Sequence, residues 1–385
     1  MKFTKLVGDS SAARRERQLD PRPAQEVGVN GGSVCSGCLG LDLGLSRALG
    51  IEWAWASETD PACSHIIERE GIPNLGDLFA VDWSAVPRVD LFAAGFPCPD
   101  FSTAGKRAGM AGEHGQVWFG VAAAIRALRP AIVVLENVSA ITTAPGLDLD
   151  AGESALGVVL ADLAEVGYVG RWLCLRASDL GAPHRRERLF ILATLADADD
   201  SRRREVARGT PSDEGPNGWR CAKGDHEPIG IGTSGLRAAV TSHPEGECRP
   251  LRTAERERSG RLAGCGALAP DAASISERKP ADKAHAESGG GQARSEFGGR
   301  SELAWGAYET AIRRWEHAFG HLAPRPTDNQ GRLSPEFVEW MQGFPAGWTA
   351  GESRTARLRM LGNAVQVQVA EAVGRLLQSP PERTV

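Results

Sequence analysis

The sequence lacks any run of about 20 apolar residues, the length a helix needs to cross a bilayer, so no membrane span is expected. Met1 to Gln25 lack the apolar run of a secretion signal, and a cytoplasmic location is expected. An excess of one charge is also missing, since 44 Lys and Arg against 49 Asp and Glu leave −5 at pH 7. That excludes a histone-like protein or a polybasic membrane binder, but not an enzyme with locally placed cations. Eight cysteines in 385 residues are too few for a disulfide framework, and they are read singly. Cys35 and Cys38 form a C-x-x-C, yet Cys221, Cys248 and Cys265 lack matching spacing, so no metal site is expected. No internal repeat is visible.

What is present is a strand–helix alternation. At about 150 residues per domain the length suggests two or three domains. Residues 1–28 read as a disordered leader. Val89–Gly95, Ala131–Glu136 and Arg188–Thr194 are short apolar runs bounded by turn or polar residues, and read as buried strands. Val117–Leu128 and Ser154–Val166 read as helices, the second stopping at Gly167. This predicts an α/β fold with a mostly parallel sheet and helices on both faces. From Ala196 to Arg300 the pattern is lost: 16 glycines, two aromatics, and 17 basic against 17 acidic residues. Order is expected again in the stripe Trp305, Tyr308, Ile312, Trp315, Phe319, which reads as a helix packing on the core. The C-terminal run from Asn363 reads as one more helix.

Three places carry candidate chemistry. Cys98 follows a strand, flanked by Pro97 and Pro99, and is either a presented nucleophile or a small buried hydrophobe. Glu136 ends another buried strand, 38 residues on, as a working acid or a turn cap. Arg186 and Arg188 share one face at the start of a third strand; the pair suits a phosphate, a carboxylate or a base carbonyl, or is simply solvated. A glycine-bearing loop at Cys35–Gly40, with Glu58 about 20 residues on, also fits a nicotinamide or flavin enzyme.

In this order these motifs resemble the C5-cytosine DNA methyltransferases. The family's P-C-Q-x-F-S loop is matched by Pro97, Cys98, Pro99, Asp100, Phe101 and Ser102. Its E-N-V is Glu136, Asn137 and Val138, and its Q-x-R-x-R is His184, Arg186 and Arg188. Its F-S-G-x-G-G loop is similar to Cys35–Gly40, with Cys35 where the family has an aromatic and Leu39 where it has a glycine. Arg332–Trp348 and Leu361–Val365 resemble the last two blocks.

The resemblance implies a Rossmann-like, S-adenosyl-methionine-dependent methyltransferase core (29–195), interrupted by an irregular target-recognition region (196–331). A C-terminal segment (332–378) returns to the core, and 379–385 is a tail. It implies that Cys98 attacks cytosine C6, Glu136 donates at N3, Arg188 holds the ring carbonyl and Arg186 the nearby backbone. S-adenosyl-L-methionine would meet Ser36, Gly37, Gly40, Glu58, Asp77, Leu78, Pro97, Asn363 and Val365, with the loop turning at Gly37 and Gly40. Phe101, Ser102 and Asn137 would face the flipped nucleotide, with Lys106 and Arg107 in a glycine-rich lid. The implied partner is double-stranded DNA at a short sequence, met by a monomer, in a restriction–modification or prophage setting; a cognate endonuclease is not identifiable. The same chemistry on RNA, or binding without catalysis, stays open.

Overall fold

The structure, a computed structural model, describes residues 29–96, 116–147, 153–196 and 305–378, and the strand pair 214–215 with 219–220. The leader, the tail and most of the polar stretch lie outside the described residues. So do Pro97, Cys98, Phe101, Ser102, Lys106 and Arg107.

The chain runs β1 (Asn30–Val34), α1 (Gly40–Leu49), β2 (Glu52–Ser57), α2 (Pro61–Arg69) and β3 (Leu91–Ala94). Next come α3 (Gln116–Leu128), β4 (Ile132–Asn137), α4 (Ala155–Glu165), β5 (Tyr168–Arg176) and β6 (Glu187–Leu195). The short pair β7 (Glu214–Gly215) and β8 (Trp219–Arg220) follows. The chain ends in α5 (Glu309–Phe319), α6 (Pro335–Gln342), α7 (Arg354–Asn363) and α8 (Val367–Gln378).

Local chemistry starts these helices where they start. Asp60 caps α2, accepting from the Ala62 and Cys63 amides at 2.9 and 3.3 Å, with Pro61 as the first helical residue. Ser154, Ser334 and Ser353 cap α4, α6 and α7 in the same way.

Six strands form one sheet in the order β2-β1-β3-β4-β6-β5. The first four are parallel, as the apolar runs suggest. β6 is antiparallel to both neighbours, a direction that residue pattern alone does not encode. The reversal has a functional use: the start of β6 lies at the same sheet edge as the carboxyl ends of β3 and β4. Glu136 pairs in register with Phe190, and Asn137 with Leu189. Two apolar layers cover the sheet, one including Phe92, Trp118 and Ile191, the other Leu45, Ile66, Phe190 and Val373.

The second layer draws on both ends of the described core. α1 and α8 cross so closely that a Cβ on Gly44 would stand 2.4 Å from the Ala370 Cβ, so only glycine fits there. The stripe from Trp305 to Phe319 packs on the core as its spacing suggests: Ile312 and Trp315 of α5 sit in this layer. Trp315 is fully buried and its Nε1 donates to the Trp340 carbonyl at 3.3 Å. Trp315→Ala is expected to destabilise the fold by about 3–5 kcal/mol. The check is urea denaturation of the full chain; a loss under about 1 kcal/mol would show that α5 does not belong to the core.

Candidate active site

β1 pairs with β2 on one side and β3 on the other, so chain order reverses at β1 and leaves a crevice at the strands' carboxyl ends. A cavity of about 600 Å³ occupies it. Of the expected site residues that the structure describes, all but Arg186 line this cavity: Ser36, Gly37, Gly40, Glu58, Asp77, Leu78, Glu136, Asn137, Arg188, Asn363 and Val365.

The loop after β1 holds an unusual backbone. Cys35 and Leu39 have φ of 51° and 67°, and Gly37 55°. Leu39 therefore takes a left-handed conformation without a glycine's freedom, held by burial of its side chain in the core. Gly40 does not turn the loop, contrary to expectation; it is the first residue of α1. Its requirement for glycine is steric, since a Cβ there would lie 2.2 Å from the Val365 carbonyl oxygen. Glu58 locks the loop from β2: one carboxylate oxygen accepts from the Gly37 amide, the other from the Thr59 and Asp60 amides, all at 2.8 Å. Ser36 is tied to Ser33 by a 2.6 Å hydroxyl–hydroxyl bond.

On the cavity floor, Glu136 is buried, and Arg188 Nε lies 2.9 Å from its Oε1. The two attract, but the N–H does not aim at the oxygen, and Oε1 has no hydrogen-bond partner among the described residues. Burial pushes the Glu136 pKa up, and the charges of Arg188 and Arg186 only partly offset it. The result is a carboxyl held beside a cation, its Oε1 facing Arg188 and its Oε2 on the side of Gly95 at the cavity. Asn137 serves as a brace: its Nδ2 donates to the Phe96 carbonyl at 3.4 Å, and its Oδ1 accepts from the Val138 amide at 2.7 Å. It thereby fixes the last described residue before the loop that carries Cys98.

Arg186, which the resemblance assigns to nearby backbone, holds protein backbone and does not pair with Arg188 as their shared strand face suggests. It reaches the C-terminal segment, donating to the Gly362 and Ala364 carbonyls at 2.7 and 2.8 Å. These flank Asn363, so Arg186 fastens the segment that closes the cavity. His184 helps by contacting the Met341 carbonyl through Nε2 at 3.1 Å.

Among the cavity residues that carry no motif and escape sequence reading are Phe79, which is exposed, and Asp42 in the first turn of α1. Asp42 is buried, with Oδ1 unpartnered among the described residues. Burial pushes its pKa up to about 7, partly opposed by Ser33.

The fit to a nucleotide-bearing methyl donor can be judged on the cradle itself. A Cβ on Gly37 would meet nothing within 4 Å, and one on Gly95 would project between Glu136 Oε2 and the Cys35 carbonyl. The bare backbone there leaves room for a ligand to approach closely, and Glu58 and Asp77 supply acceptors. The residues present fit the group.

A cavity at the switch point of a mostly parallel sheet, with a buried acid and an arginine on its floor, defines a Rossmann-like methyltransferase core. The family model described as C-5 cytosine-specific DNA methylase matches residues 29–226 and 268–379, and the chain belongs to that family. Type II methyltransferase M.NlaIV of Neisseria lactamica is 31% identical over 174 residues, 43% of this chain and 41% of that protein. Type II methyltransferase M.NgoBI of Neisseria gonorrhoeae is 34% identical over 158 residues, 41% of this chain and 48% of that protein. The chain thus spans less than half the length of these two relatives. Type II methyltransferase M.NlaX of Neisseria lactamica is 25% identical over 349 residues, 89% of this chain and 94% of that protein. Among solved structures, the S. pombe Dnmt2 methyltransferase is 14% identical at a TM-score of 0.45, covering 91% of this chain and 98% of that one.

Asp42 gives a pH prediction. The folded state keeps this proton up to about pH 7, an ordinary aspartate only to about 3.8. The folded state binds more protons between those values, so Asp42 makes stability fall as pH rises through that window. Asp42→Asn removes this contribution. The melting-temperature advantage of the variant over the native protein should grow from pH 4 to pH 8, and a pH-independent difference would contradict the assignment.

Proposed function

We propose that the chain methylates C5 of cytosine in double-stranded DNA at a short sequence, in a restriction–modification or prophage setting, with S-adenosyl-methionine as donor. The observation that carries the reading is Glu136, a buried acid beside Arg188, one strand over from the loop that bears Cys98. When bound, S-adenosyl-methionine supplies a methyl group on a positively charged sulfur. Glu58 and Asp77 would hold its ribose and adenine ends, and Ser36, Gly37, Leu78, Pro97, Asn363 and Val365 would enclose it.

Cytosine C5 is a poor nucleophile. Addition of the Cys98 thiolate to C6 moves electron density to C5 and makes it one. The charge that builds on the ring is relieved at N3, where Glu136 donates; burial raises its pKa and so favours the protonated form that can donate. Arg188 serves twice: its cation steadies the ionised form of Glu136, and it would hold the ring carbonyl. Once C5 carries the methyl group, it loses its proton to a base, the C5–C6 double bond re-forms, Cys98 leaves as a thiolate and N3 returns its proton to Glu136. The target base must leave the duplex first, with Phe101, Ser102 and the following glycine-rich loop closing behind it. Sequence choice falls to the insertion, whose balanced charge makes a few placed Arg and Lys do the reading.

Tritium transfer from labelled donor to mixed-sequence duplex tests the reading. Cys98→Ala should abolish incorporation, and a 5-fluorocytosine duplex should trap a covalent adduct with the native protein. Glu136→Gln should lower kcat by about 10²–10⁴-fold with the fold intact. Incorporation that survives Cys98→Ala would overturn the mechanism, and labelling of transfer RNA in place of the duplex would replace DNA as the substrate.

A further inference from the structure

Phe79 is 60% exposed although it lines the cavity, while Phe96, the other phenylalanine there, is buried against Trp118. A lone surface phenylalanine needs no explanation, but this one is held in place. Its amide donates to Asp77 Oδ1 at 3.0 Å, and Leu78, the residue between them, accepts at its carbonyl from Trp83 Nε1 at 3.2 Å. The turn before it is fixed by Ser57 Oγ donating to the Gly76 carbonyl at 2.7 Å. The ring rests on α3 where Gly120 leaves space: a Cβ there would come within 2.9 Å of Phe79 Cε1.

Around the ring the cavity wall is apolar, formed by Leu78 and Val117. Beside it stands the exposed carboxylate of Asp77, whose Oδ2 has no partner among the described residues. An exposed ring on an apolar wall with a carboxylate acceptor at its rim suits an aminated purine, stacked by its face and held by its amine. The loop after β1 offers no competing ring: its first residue is Cys35, a thiol whose pKa burial pushes up to about 12, so it is neutral.

We propose that Phe79 is the aromatic wall on which the adenine of the methyl donor stacks. This rests on the reading above that the cavity takes an adenosyl donor.

The test is calorimetric binding of S-adenosylhomocysteine and of 5′-methylthioadenosine to the full chain without DNA. Phe79→Ala should weaken both by about 10-fold or more, and by similar factors, because both carry adenine. Phe79→Tyr should keep native affinity, whereas Phe79→Leu, apolar but not aromatic, should not. Equal affinity of Phe79→Ala and the native protein would overturn the role of Phe79 alone. Weakening of S-adenosylhomocysteine but not of 5′-methylthioadenosine would also overturn it, by moving the contact to the amino-acid end. If the native protein binds neither compound, the adenosyl-donor reading fails together with this one.

Discussion

A carboxyl group removed from water is costly unless a cation or hydrogen bonds replace its hydration, and the site is arranged around that cost at Glu136. The strand that would lie next in an all-parallel sheet would bring its far end to this edge. Only a reversed β6 starts there and sets Arg188 beside the acid, while Arg186, two residues earlier, reaches the C-terminal segment. One antiparallel strand thus serves the reacting edge and the closure of the cavity together. The attraction is also outweighed: burial disfavours the carboxylate more than the two cations favour it, which keeps Glu136 protonatable. A fully satisfied ion pair would hold the acid ionised and unable to donate.

The sequence made some parts of this plain and hid others for physical reasons. β3, β4 and β6 are buried on both faces, so their apolar runs stand out. β5 lies at the sheet edge with exposed Val169 and Gly170 and half-buried Arg171, and its pattern is blurred. The expected site residues are recognisable because their chemistry needs particular side chains, and of those described the fold brings all but Arg186 to one cavity. Arg186 shows the limit of spacing arguments: two residues on one face can still serve different partners. Phe79 and Asp42 are invisible to such arguments, because what marks them is the cavity they border. Gly40 is conspicuous in sequence as a turn residue, yet its requirement comes from the Val365 carbonyl more than 300 residues away.

The C-terminal segment carries its own internal brace. Glu339, almost completely buried, accepts from the Gly347 and Thr349 amides at 3.0 and 2.8 Å, and from Arg357 at 3.0 Å. Arg357 in turn bonds Glu336. A network with every member matched makes a stiff unit from 334 to 363, so the segment can present Asn363 and Val365 without depending on the insertion before it.

That arrangement governs when the cavity can exist. Trp348 Nε1 donates to the Cys38 carbonyl, 310 positions apart, and Gln378 Nε2 to Ala48, 330 apart. Contacts this distant exist only when both ends of the described core are in place. The first four strands set out the loop after β1, and the last helices on α1 supply its other wall. The cavity is therefore a property of the whole core: a chain cut before α7 would keep the strands' edge and lose the wall that Asn363 and Val365 form.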